Sequence, residues 1–377
     1  MDKTAIKSYA VWARRKLLDG VATRAALYGI TAKKIKPGPD EEIVEGRVLS
    51  DREMKMRRAL IRDVEEKGFE QVVEETAYRW FNRFSALRFM EVNGSLPSRV
   101  RVFTNDRGEF RPQILAEAYR LELPGLDRNL VFKLEGEGKR EELYRYLLAL
   151  QCNALSPVLP CLFEKLDDYA EILLPNNLLS TGGILDRLVL EIPEEDWTNQ
   201  VEIIGWLYQY YITELKEKIA ADLKKNIKIS KEMIPAATQL FTPDWIVHYM
   251  VENSLGRFWL SDSSNDALRA KWKYYLDAPK QPQEVQSRLD ELRREYATVA
   301  PEDIRVIDPC MGSGHVLCAF FDMLIKFYEE HGYTTEDAVA KIVDKNIWGL
   351  DIDERASQLA CFAVMMKAME YVPRFLD

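Results

Sequence analysis

Apolar residues recur at three- and four-residue intervals over most of the first 230 positions. Ile6, Tyr9, Ala10, Ala13, Leu17 and Val21 share one helical face within residues 1–30, and a second helix is expected over about 50–67. The longest pattern is EQVVEETAYRWFNRFSALRFMEVNG, residues 70–94. There Val73, Ala77, Trp80, Phe81, Phe84, Leu87 and Met90 form one broad stripe, and Asn93-Gly94 supplies a stop. Such a stripe is read as core packing rather than as a ligand box. Helical spacing returns at 139–155 and at 198–225, the latter through Val201, Ile204, Leu207, Tyr211 and Leu215. Two stretches break the rhythm. TAKKIKPGPDEE (31–42) reads as a charged linker, and RVRVFTNDRGEFRPQI alternates around Asn105–Gly108 as a hairpin would. Residues 1–230 therefore predict a mainly helical domain.

The pattern changes after residue 230. QLFTPDWIVHYMVENSLG (239–256) has a Thr-Pro helix start, with threonine as N-cap and proline at the first helical position. A charged, irregular stretch follows to residue 300, with a helix over 284–297. Next come a strand at IRVI, a glycine turn, helices over 315–331 and 335–344, a second strand in NIWGL, and a helix over 354–371. The strand–helix–strand rhythm of a parallel sheet begins only near residue 304. The last helix is apolar on most faces, through Ala356, Leu359, Phe362, Val364, Met365, Met366 and Met369, and so expects burial on more than one side. A sheet of two strands would leave an unpaired edge.

Composition narrows the possibilities. At 377 residues the chain is long enough for about two domains, and its 47% apolar and 30% charged residues are ordinary for a globular protein. No membrane-length apolar run and no signal-peptide core appear, so a cytoplasmic location is expected. The five cysteines are scattered without a CxxC pair and only three histidines exist. No metal site or disulfide framework is expected, and the thiols are read as reduced and mostly buried. A formal charge of −9 argues against a surface dominated by nucleic-acid contacts while leaving room for a local basic groove.

The candidate chemistry lies in VIDPCMGSGH (306–315). Asp308 follows the IRVI strand and Asp351 follows IWGL, so both acids sit where a doubly wound sheet binds its ligands. Gly312 and Gly314 let the main chain pass close to a ligand. A dinucleotide fits poorly, because the third glycine of its fingerprint is replaced by Leu317 and the second acid comes too late in the chain. S-adenosylmethionine fits better. Its ammonium can meet Asp308, its ribose hydroxyls can meet Asp351, and its carboxylate can meet the donors of a helix start at Thr242.

FTPDWIV, DPCMGSGH and GLDID resemble, in that order, motifs X, I and II of N6-adenine DNA methyltransferases of the amino group. AYRWFNRFSALRFMEVNG and EIIGWLYQYYITE look like the helical N-terminal region of the PglX (BrxX) branch, the adenine-specific methyltransferases of BREX phage defence. The resemblance implies an α/β chain. A mainly α N-terminal domain (1–230) would precede the N-terminal part of a class I, Rossmann-like methyltransferase domain (231–377). It implies a cofactor set of Thr242, Pro243, Asp308, Pro309, Gly312, Gly314, Asp351 and Ile352, with Ile352 against the adenine ring. His315 is read as a first-turn helix residue rather than a proton carrier. Implied partners are double-stranded DNA for the full-length enzyme, other defence subunits and a phage-encoded inhibitor. Two alternatives stay open: the modification subunit of a Type I restriction system, and a helical interaction module.

The family's catalytic motif, (N/D/S)PP(Y/F), is missing, and no Pro-Pro dipeptide occurs anywhere. The chain is therefore expected to be the cofactor-binding part of a larger enzyme, truncated before its catalytic motif and inactive alone.

Overall fold

Periodic spacing becomes helix where a cap and a packing partner coincide. In the computed structural model, which describes residues 1–164, 168–260, 266–296 and 298–376, α1 (Lys3–Leu27) starts at Asp2. The Asp2 carboxylate accepts from the N–H groups of Thr4 and Ala5. A capping box of Ser50 and Glu53 opens α2 (Asp51–Lys67). The aromatic stripe falls on α3 (Phe69–Val92), where Trp80, Phe81, Phe84 and Leu87 are buried as core. Trp80 satisfies its indole N–H on the Ala170 carbonyl at 2.9 Å. α4 spans Arg140–Leu155, while the run expected over 198–225 divides at Ile212 into α5 (Glu202–Tyr211) and α6 (Thr213–Lys224). α1 packs on α3 and α5, with Tyr9 stacked 6.4 Å from Phe81.

Two expectations in this region fail, both because backbone groups find other partners. The turn at 105–108 forms, with Asn105 accepting from the N–H groups of Arg107 and Glu109, but no strands flank it. The N–H of Phe103 goes instead to the buried Glu91 carboxylate, and Arg101 and Thr104 pair with the residues opening a short helix, Gln113–Ala116. The 31–42 stretch is likewise no loose linker. Fully buried Arg57 donates to the carbonyls of Tyr28, Pro37 and Gly38 at 2.9, 2.6 and 2.7 Å. The chain then forms a small antiparallel pair, β1 (Ile43–Val44) with β2 (Arg47–Val48).

The chain divides into two compact units, Met1–Ile227 and Lys228–Asp377. The second unit contains α7 (Asp244–Val251), which runs on through a wider turn at Glu252–Gly256, and α8 (Gln283–Tyr296). It then forms β3 (Val306–Asp308), α9 (His315–Glu330), α10 (Thr335–Lys341), β4 (Ile347–Gly349) and α11 (Glu354–Tyr371). β3 and β4 are parallel, pairing Val306 with Ile347, Ile307 with Trp348 and Asp308 with Gly349. α9 and α11 pack together, and the apolar faces of α11 find their burial inside this unit through Leu359, Phe362, Val364 and Met366. On the strands, Ile307 and Trp348 stay more than half exposed. Among the described residues Cys152 and Cys318 are buried and Cys161 is half-buried; Cys310, in the turn after β3, and Cys361, on an outward position of α11, are exposed, contrary to expectation. Among the described residues no helix is long and apolar enough to cross a membrane.

Candidate ligand site at the tips of the parallel strands

The two strands are brought into register from below by a buried amide. Asn346, just before β4, is fully buried and donates to the carbonyls of Pro301 and Ile304, both at 2.8 Å. Its Oδ1 accepts from the Tyr328 hydroxyl of α9 at 2.9 Å. The approaches to β3 and β4 and the crossover helix are thus tied at one point. Outside it, Glu302 accepts from Lys341 and Lys345 at 2.7 Å each and from the Tyr333 hydroxyl at 2.9 Å. Lys341 and then Lys345 hold the Glu302 carboxyl down to about 2.

At the other end the ladder runs one step past the strands. Leu350 N donates to Asp308 O at 2.9 Å and Met311 N donates to Leu350 O at 3.0 Å. The side chains follow the same pairing. Asp308 Oδ1 accepts from Cys310 N at 3.0 Å, closing a tight turn. Asp351 Oδ2 accepts from Gly312 N at 2.9 Å and its Oδ1 from Asp353 N at 2.8 Å. The glycine loop after β3 is therefore hung on the acid after β4. Partial burial pushes the Asp308 carboxyl above its ordinary range; the Cys310 N–H opposes that rise and the Asp351 charge adds to it. Each carboxylate keeps free acceptor positions beyond these bonds.

The two loop glycines serve different ends. Gly314 (φ +85°) precedes α9, and a Cβ there would lie 2.9 Å from Ala360 Cα and 3.2 Å from Ala360 O on α11. It is a packing glycine. Gly312 (φ +54°) also needs left-handed backbone, but a Cβ there would meet nothing within 4 Å. Open space lies beside the loop exactly where the main chain bends over the rim, so Gly312 is the position at which a ligand could approach bare backbone.

The Thr-Pro start of α7 needs correction. The helix begins at Asp244, Pro243 occupies the N-cap position, and no side chain caps it. Thr242 lies two residues before the helix, where the chain is fixed by another bond: its carbonyl meets His315 Nδ1 at 3.0 Å. The His315 ring also stacks on Phe241, 4.7 Å between centroids and 2° from parallel, and its Nε2 lies 3.8 Å from Asp244. His315 is the first residue of α9 and staples the Phe-Thr-Pro segment to the glycine loop. Asp308, exposed Pro309, Gly312, Gly314 and Asp351 thus share one rim, Thr242 and Pro243 connect to it through His315, and Ile352 stands beside Asp351, 66% exposed. The roles of Ala360 and Asn346 carried no sequence signal, since each depends on a neighbour distant in the chain.

Two carboxylates, a bare loop and an exposed apolar side chain suit a ligand with a cationic group, hydroxyls and a flat apolar portion. No family model matches the chain. It is 41% identical, over an alignment of 391 positions that covers the whole chain, to the adenine-specific methyltransferase BrxX of Escherichia coli O9:H4 (strain HS). It is 40% identical over 403 residues, covering 97% of the chain, to the adenine-specific methyltransferase PglX of Lacticaseibacillus casei (strain Zhang). These are the two names to which the motifs and the helical segments pointed. The chain spans 32% of the length of each of these curated relatives.

Proposed function

From that likeness we propose that the chain is the cofactor-binding part of an adenine-N6 DNA methyltransferase of a BREX-type phage-defence system, using S-adenosylmethionine. In this reading residues 1–230 are the helical N-terminal domain. Residues 231–377 begin a Rossmann-like methyltransferase domain whose catalytic motif belongs to the longer protein. Double-stranded DNA is the substrate of that protein, and the chain by itself transfers no methyl group.

The observation that carries the proposal is the bond from Gly312 N–H to Asp351, which sets the loop and both acids on one rim. The donor set fits the cofactor. Asp308, ionised, attracts the ammonium of its amino-acid end; Asp351 accepts from the ribose hydroxyls; Ile352 covers one face of the adenine. Gly312 admits the ligand against the main chain, and His315 holds Thr242 at the methionine end. When bound, the group supplies an electrophilic methyl on a sulfonium. The residues of this chain orient that group; activation of the adenine amino nitrogen falls to the (N/D/S)PP(Y/F) motif, of which these 377 residues contain no copy.

Titration calorimetry with S-adenosylmethionine and its demethylated product tests the reading. Binding should be measurable and should weaken at least tenfold in Asp308→Ala and in Asp351→Ala, about 1.4 kcal/mol or more each. Unchanged affinity in both variants removes the assignment.

A further inference from the structure

The stretch between α7 and α8 has no part in the site above, yet it is built with care. In RAKWKYYLDAPK, residues 269–280, Arg269, Lys271, Lys273 and Lys280 stand against a single acid, Asp277. Arg269 takes that acid as an ion pair. Lys271, Lys273 and Lys280 are exposed and pair with no carboxylate of a described residue. Trp272, Tyr274 and Tyr275 between them are half-buried.

This segment is fixed to the end of α7 by three side chains. Buried Glu252 accepts from Tyr274 N at 2.6 Å. Asn253 donates through Nδ2 to Tyr274 O and accepts through Oδ1 from Leu276 N, at 2.8 and 2.9 Å, as a paired strand would. Arg257 donates to Leu276 O at 2.7 Å. Gly256 leaves room for the Trp272 ring, whose Cζ3 lies 2.9 Å from where a Cβ would stand. The backbone is held down and the lysines are turned outward.

We propose that residues 269–280 form a phosphate-contacting ridge for duplex DNA. The proposal deepens the methyltransferase reading and rests on it for the expectation that DNA approaches this unit. Exposed lysines without carboxylate partners among the described residues, in a chain of net charge −9, are a local basic feature that a repeating phosphate backbone complements without reading sequence. Lys273 Nζ lies 5.2 Å from the centre of the half-buried Tyr274 ring, so that ammonium stands over an aromatic face and not over a carboxylate.

The test is fluorescence anisotropy of the 377-residue chain with a labelled duplex across a salt series. Its partner is a Lys271→Gln/Lys273→Gln/Lys280→Gln variant, and a matched control carries Lys16→Gln, Lys33→Gln and Lys34→Gln. Three phosphate contacts give the unmutated chain a log–log salt slope steeper than the ridge variant by about 2.7, or about 40-fold more affinity lost between 50 and 200 mM salt. The control variant should keep the steep slope. The proposal is overturned by any of three results: no duplex binding at low salt, ridge and control variants with equal slopes, or a polyglutamate peptide competing as strongly as DNA. Calorimetry with S-adenosylmethionine on the unmutated chain judges the pocket separately, so either reading can fall while the other stands.

Discussion

Gly312 and Gly314 look interchangeable in sequence, and replacing each by alanine should separate stability from binding. Left-handed backbone costs a non-glycine residue about 1–2 kcal/mol, and both positions incur it. Gly314→Ala adds a Cβ against the Ala360 backbone at 2.9 Å, which α11 can relieve only by moving, for roughly a further 1–3 kcal/mol. Its total is about 2–5 kcal/mol, enough to lower the melting temperature of the second unit by about 2–4 °C for each kcal/mol. Gly312→Ala adds a methyl group to open space and stops at the backbone cost. Hydrogen exchange of peptides covering β3 and α9 reads the opening free energy of this unit without assuming that the whole chain unfolds in one step. The order reverses for ligand binding: the Gly312→Ala methyl group occupies the approach to bare backbone and should weaken S-adenosylmethionine by tenfold or more. Equal protection in the two variants would refute the packing argument. Undiminished cofactor affinity in Gly312→Ala would refute the cradle.

Three further outcomes follow from the same geometry. Because burial raises the Asp308 carboxyl, cofactor affinity should climb with pH through a window starting at the ordinary aspartate range and extending above it; Asp308→Asn should flatten that climb in calorimetry. Glu302 has the opposite sign: its ion pairs stabilise fully above the ordinary glutamate value and fade as pH falls toward about 2, so Glu302→Gln should remove that part of the acid sensitivity seen by fluorescence. Asn346→Leu leaves two carbonyls and the Tyr328 hydroxyl without their buried partner and should cost about 2–4 kcal/mol in urea unfolding of the second unit.

Periodicity and order were legible in the chain itself. The helices from α1 to α4 and from α9 to α11, the strands β3 and β4, and the succession of FTPDWIV, DPCMGSGH and GLDID follow from local spacing, because a helix or a strand tip is specified by residues near one another. The expected hairpin near Asn105 and the expected loose linker at 31–42 fail for the complementary reason. Alternation and proline content describe what a backbone prefers when alone, whereas Glu91 and Arg57 supplied partners from elsewhere. Tertiary structure alone decided that Thr242 is held by His315 rather than capping α7, that Gly314 serves packing while Gly312 borders open space, and that one buried asparagine sets the register of both strands. Each of these depends on a distance between residues far apart in the chain, and spacing along a polymer carries no measure of that distance until the core has closed.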